Sequence, residues 1–127
     1  MSSKRTLYYC DKGLKLFEKW TNTKFQAHRL NGPAITYYDE YGNVTCEQWI
    51  SNGKKHRLNG PAELTYYSNG MVAYEMWCVD GVPHRADGPA YVSRDKNGVP
   101  TKETWFNRGK GKGEYKCKES DYYIDER

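Results

Sequence analysis

Apolar and aromatic residues fall in short runs that alternate with polar ones, and each run ends at a turn signal. The runs pair off as hairpins around Asp11-Lys12-Gly13, Tyr41-Gly42-Asn43, Ser68-Asn69-Gly70 and Asn97-Gly98. Asn and Gly tolerate the positive φ that tight hairpin turns need. The pattern predicts strands over residues 8–10 and 14–20, then 34–38 and 44–50, then 62–67 and 71–78, and finally 90–94 and 101–106. No segment holds apolar residues at a helical spacing, so no long helix is predicted.

The hairpins recur. His28-Arg29-Leu30-Asn31-Gly32-Pro33-Ala34 returns as His56-Arg57-Leu58-Asn59-Gly60-Pro61-Ala62 and as His84-Arg85-Ala86-Asp87-Gly88-Pro89-Ala90, with 28 residues between successive histidines. Trp20, Trp49, Trp77 and Trp105 follow at steps of 29, 28 and 28. Each has a glutamate two positions earlier: Glu18, Glu47, Glu75 and Glu103. A fixed period of this size marks a repeat protein. The divisions are a half repeat over 7–27, full repeats over 28–55, 56–83 and 84–110, and a C-terminal cap or tail over 111–127, all within a single domain 1–127.

The expected fold is all-β, a tandem β-hairpin repeat forming an elongated, twisted antiparallel sheet of about seven or eight strands. Its open edges need covering, and residues 1–5 and 111–127 are the segments available. Alternation along a strand assigns the faces. One face repeats: alanine, then Thr36, Leu64 or Val92, then Tyr38, Tyr66 or Arg94, with the glutamates and tryptophans beside them. The other varies and carries Phe17, Tyr37, Tyr67, Tyr74 and Met76. Stacking identical units requires a constant face, so the constant face is read as structural and the varied one as the binding surface.

Composition sharpens this reading. Hydrophobic residues make up 37% and charged residues 28%, yet 15% are aromatic. Tyr and Trp therefore supply the burial, and a thin stack suits them better than a thick core. The net charge of +4 is too mild to select a partner. Cys10, Cys46, Cys78 and Cys117 share no repeat position and no clustered spacing. They read as free thiols in a reducing cytoplasm rather than a disulfide or zinc framework. No apolar leader follows the N-terminal methionine, and no apolar run is long enough to span a membrane.

The run W-x-x-N-G-K-x-H-R-x-N/D-G-P-A-x-x-x-Y over residues 49–66 resembles the variant MORN-type (membrane occupation and recognition nexus) repeats. It is similar above all to the H-R-x-D-G-P-A form common in phages and large DNA viruses, and the likeness covers residues 7–110. The resemblance implies a β-hairpin solenoid, a binding role and a viral origin. Ordinary MORN units are shorter and carry Gly-x-Gly where this chain has Gly-Pro-Ala. The phosphoinositide binding suggested for some of them is therefore not carried over. The resemblance and the small size together imply a protein of the host cytoplasm that binds and blocks a host protein such as a defence factor, in the manner of an anti-CRISPR.

Other chemistries weigh less. Arg29, Arg57 and Arg85, with Lys110 and Lys112, could grip phosphates or nucleic acid. The competing structural reading has each arginine pair with the glutamate of an E-x-W and lie on a tryptophan face, which makes Glu47, Trp49, Glu75, Trp77, His56 and His84 structural residues. Histidines one repeat apart are too distant to share a metal, and no nucleophile with a positioned base is evident. The expectation is a non-enzymatic protein without cofactor or metal. Aromatic hairpin repeats that bind choline or cell-wall sugars act outside the cell and rank low.

Overall fold

The structure, a computed structural model, describes residues 3–106. In chain order the strands are β1 (Lys4–Tyr9), β2 (Lys15–Thr21), β3 (Ile35–Tyr38), β4 (Val44–Gln48), β5 (Ile50–Ser51), β6 (Lys54–Lys55), β7 (Glu63–Tyr66), β8 (Val72–Met76), β9 (Cys78–Val79), β10 (Val82–Pro83), β11 (Tyr91–Arg94) and β12 (Pro100–Thr104). No helix occurs among the described residues, and so none that could cross a membrane. Eight strands form one open antiparallel sheet in the order β1-β2-β3-β4-β7-β8-β11-β12. The other four make two small hairpins, β5-β6 and β9-β10, set beside it.

The turns explain the two hairpin types. In the large sheet, the Asp39 amide donates to the Asn43 carbonyl and the Gly42 amide to the Asp39 carbonyl. Residues 10–14, 67–71 and 95–99 repeat this pattern. Each is a type I turn closed by a glycine in the left-handed region. In the small hairpins both turn residues have positive φ: Asn52 (50°) with Gly53 (84°), and Asp80 (52°) with Gly81 (82°). That is the two-residue type I′ turn, for which Asn-Gly and Asp-Gly are the favoured pairs.

The second strand of every large hairpin carries one extra residue, at Leu16, Thr45, Ala73 and Thr101, each passed over in the register. Such bulges increase local twist. The register then fixes two faces. One row across the sheet runs Tyr8, Phe17, Tyr37, Cys46, Thr65, Tyr74, Ser93, Lys102. The opposite row runs Leu7, Glu18, Thr36, Glu47, Leu64, Glu75, Val92, Glu103. The constant and varied faces expected from alternation are these two.

A single layer cannot hold a thick core, and few side chains are buried. Ala34, Ala62 and Ala90 are fully covered. There the backbone bonds on both sides: the Ala62 amide donates to Met76 and the Ala62 carbonyl accepts from Trp49, a pattern kept at Ala34 and Ala90. Val92, Ile50 and Cys78 complete the buried apolar set among the described residues.

Several expectations need correction. β4 and β8 end two residues earlier than the apolar runs 44–50 and 71–78 suggest, because residues 50–51 and 78–79 leave the large sheet to start the small hairpins. Of the segment 1–5, Lys4 and Arg5 are exposed parts of the edge strand β1 itself, and residues 1–2 lie outside the described residues. Charged residues on an edge strand discourage pairing with another chain. The segment 111–127, expected as the opposite cover, lies outside the described residues.

Candidate functional site

On the constant face each unit reaches the next through side chains. The Tyr38 hydroxyl donates to Glu18 at 3.0 Å and the Tyr66 hydroxyl to Glu47 at 2.7 Å. In the third rung Arg94 replaces the tyrosine and pairs with Glu75 at 3.1 Å. Burial, and then the hydrogen-bonded carboxylate, push the Tyr38 and Tyr66 hydroxyls up from their ordinary value. The Trp20 and Trp77 indoles donate to Glu18 and Glu75.

The repeated arginines are flat against the tryptophans: Arg29 over Trp20 at 4.3 Å, Arg57 over Trp49 at 3.7 Å, Arg85 over Trp77 at 3.9 Å. Each donates one N–H to a proline carbonyl four residues on, at Pro33, Pro61 and Pro89. The stacking expected from the sequence is present, but the Arg–Glu pairing is not. Arg29, Arg57 and Arg85 make no ion pair among the described residues; the glutamates are taken by Tyr38, Tyr66 and Arg94. Burial lowers the Arg57 pKa, and Glu47 and Tyr66 act against that through space.

The glycine of H-R-x-N-G-P-A has a role that its sequence position does not reveal. A Cβ on Gly60 would stand 2.8 Å from the Arg57 guanidinium carbon, and Gly32 and Gly88 show the same fit to Arg29 and Arg85. The guanidinium is therefore held between an indole and a bare backbone.

The histidines were legible as repeated but not as to purpose. His28 Nδ1 accepts from the Asn52 amide, and His56 Nδ1 from the Asp80 amide, both at 3.0 Å and 24 residues apart. Each ring thus caps the small-hairpin turn near the far end of its own repeat, with its proton on Nε2. His84 donates its backbone amide to Trp77 as His28 and His56 do to Trp20 and Trp49. The nearest thing to a signal was the offset of 24 from His28 to Asn52 and from His56 to Asp80.

Phe17, Tyr37, Tyr74 and Met76 share the varied face, in two groups: Phe17 with Tyr37, and Tyr74 with Met76. They are half-buried rather than exposed. Tyr8, Phe17 and Tyr37 stack in series with centroids 4.3 and 5.5 Å apart. Tyr74, Tyr91 and Phe106 form a second series at 6.1 and 4.8 Å. Cys46 and Thr65 separate the two. Burial pushes the Tyr74 hydroxyl up to about 12 and the Cys46 thiol to about 11, so that thiol stays protonated near neutral pH. Tyr67 departs from the group: its hydroxyl donates to the Arg94 carbonyl, and it lines a groove with Glu47 and Tyr66. Lys110 and Lys112 lie outside the described residues.

Cys10, Cys46 and Cys78 are free thiols. Among the described residues no three His, Cys, Asp or Glu side chains cluster to hold a metal. Comparison with protein families, curated proteins and solved structures gave no match.

Proposed function

We propose that this chain is a non-enzymatic protein-binding module of MORN-type variant repeats, stacked as a hairpin solenoid. In this reading it is a phage or viral protein that works in the host cytoplasm and blocks a host protein such as a defence factor. The observation that carries the binding role is the aromatic face. Two series of ring contacts, Tyr8-Phe17-Tyr37 and Tyr74-Tyr91-Phe106, lie on one side of a single-layer sheet. Tyr8 is exposed and the other five rings are half-buried. Half-exposed tyrosines give large contact area at low entropic cost, which suits protein recognition. The viral origin and the identity of the target rest on the resemblance alone.

The phosphate-gripping alternative draws less support. Arg29, Arg57 and Arg85 do not form a continuous open strip, since each is held between its own tryptophan and glycine. Immobilised protein should capture a partner from a bacterial lysate whether or not nuclease is added. Its affinity for random duplex and single-stranded DNA should be weak and shallow in salt. A log–log salt slope of about −0.9 per phosphate, from about 50 to 200 mM, would instead establish nucleic-acid binding.

A further inference from the structure

Between the first and second copies of the repeated heptapeptide there is an open groove of about 440 Å³. Its floor is Trp49 with Arg57 stacked on it. Leu30 and Leu58 give it apolar sides and are 68% and 71% exposed. The polar lining consists of donors and neutral groups. Arg29 and Arg57 each spend one N–H on a proline carbonyl and make no ion pair among the described residues. His56, whose Nδ1 accepts from Asp80, offers Nε2–H. Ser51 and Asn59 complete the lining, which contains no carboxylate.

Two unpaired guanidiniums in a concave site attract an anion, and their fork geometry favours a carboxylate or phosphate. The leucine walls decide between them, because a run of nucleotide phosphates brings no apolar flank to meet them. We infer that this groove takes the carboxylate of an aspartate or glutamate that stands between apolar residues in an extended segment of the partner protein. The inference rests on the reading of the chain as a protein-binding module, and it adds a second contact away from the aromatic face.

The chain contains its own control. One repeat further on, Ser51, Leu58 and Asn59 are replaced by Val79, Ala86 and Asp87. That gap loses a wall and a hydroxyl and gains a carboxylate, which repels an acidic side chain. The site is thus specific to one gap, and the fold already accommodates the disabling residues.

The test is heteronuclear NMR on the labelled full chain, following the Trp49 indole N–H during titration with a blocked Leu-Glu-Leu tripeptide. The arms are a Leu-Gln-Leu tripeptide, inorganic phosphate, and the variant Leu58→Ala/Asn59→Asp, which copies Ala86 and Asp87. Saturable shifts with Leu-Glu-Leu are expected, weakened about tenfold or more with Leu-Gln-Leu and in the variant. Absent shifts, equal shifts with the glutamine peptide, or unchanged binding in the variant would overturn the inference. Phosphate binding as tight as the peptide would overturn it too, by assigning the groove to a free anion. Partner capture by the variant at the wild-type level would remove the groove from recognition and leave the protein-binding reading standing.

Discussion

The two faces of the sheet are built from similar numbers of aromatic residues but on different principles. On the constant face every aromatic has a polar partner fixed by the repeat: Trp49 lies under Arg57, and the Tyr66 hydroxyl is bonded to Glu47. On the varied face the aromatics meet ring to ring, and the series breaks where Cys46 and Thr65 intervene. A directional contact transmits the same geometry from unit to unit. A stacked contact fills area without demanding that the next unit match, so that face can change residue by residue while the sheet persists.

The largest effect is expected from Arg57→Ala. It uncovers Trp49, removes the donor to Pro61 and leaves a void against Gly60. Chemical denaturation should show a loss of about 3 kcal/mol. The glutamate is not the reason, since Glu47 keeps its bond from Tyr66. Glu47→Gln should therefore cost much less than Arg57→Ala, and equal losses would restore the Arg–Glu pairing.

Gly60→Ala comes next. The added methyl meets the guanidinium at 2.8 Å, and the indole on its other face limits retreat. A loss of about 1–2 kcal/mol is expected by the same denaturation. On the other face, Tyr74→Ala should cost about 1 kcal/mol, because that ring is half-buried against Tyr91. An unchanged midpoint for Tyr74→Ala would mean that the varied face contributes nothing to stability.

The smallest effect is confined to alkaline solution. Tyr74 rises to about 12 in the folded chain from an ordinary 10.0, and Tyr38 and Tyr66 rise in the same direction. The unfolded chain then loses its tyrosine protons first. This part of the stability is whole below about pH 10 and is lost as pH rises through the folded values. Melting temperature should be level at neutral pH and fall above that point, and Tyr66→Phe should fall less steeply.

The hairpins, their faces and the Arg–Trp stack were legible because each follows from local spacing: alternation along a strand, Gly at the turns, one Arg per Trp. The small hairpins were not, although Asn52-Gly53 and Asp80-Gly81 are strong turn signals. The apolar runs of residues 44–50 and 71–78 pass through the point where the chain leaves the sheet, and nothing in their hydrophobicity marks it. The partners of Glu47, Gly60 and His56 also escaped. They depend on which atoms meet once the chain is folded, and periodicity shows only that something does.

The claim at the centre of this account is that the repeated side chains hold backbone distant in sequence, and amide hydrogen exchange at the small-hairpin turns reads it directly. Asn52 and Asp80 are exposed turn residues whose amides have acceptors only in His28 and His56. Both amides should be protected in the wild type, and His56→Ala should expose Asp80 while leaving Asn52 protected. Free exchange of both amides in the wild type, or an Asp80 amide indifferent to His56→Ala, would contradict it.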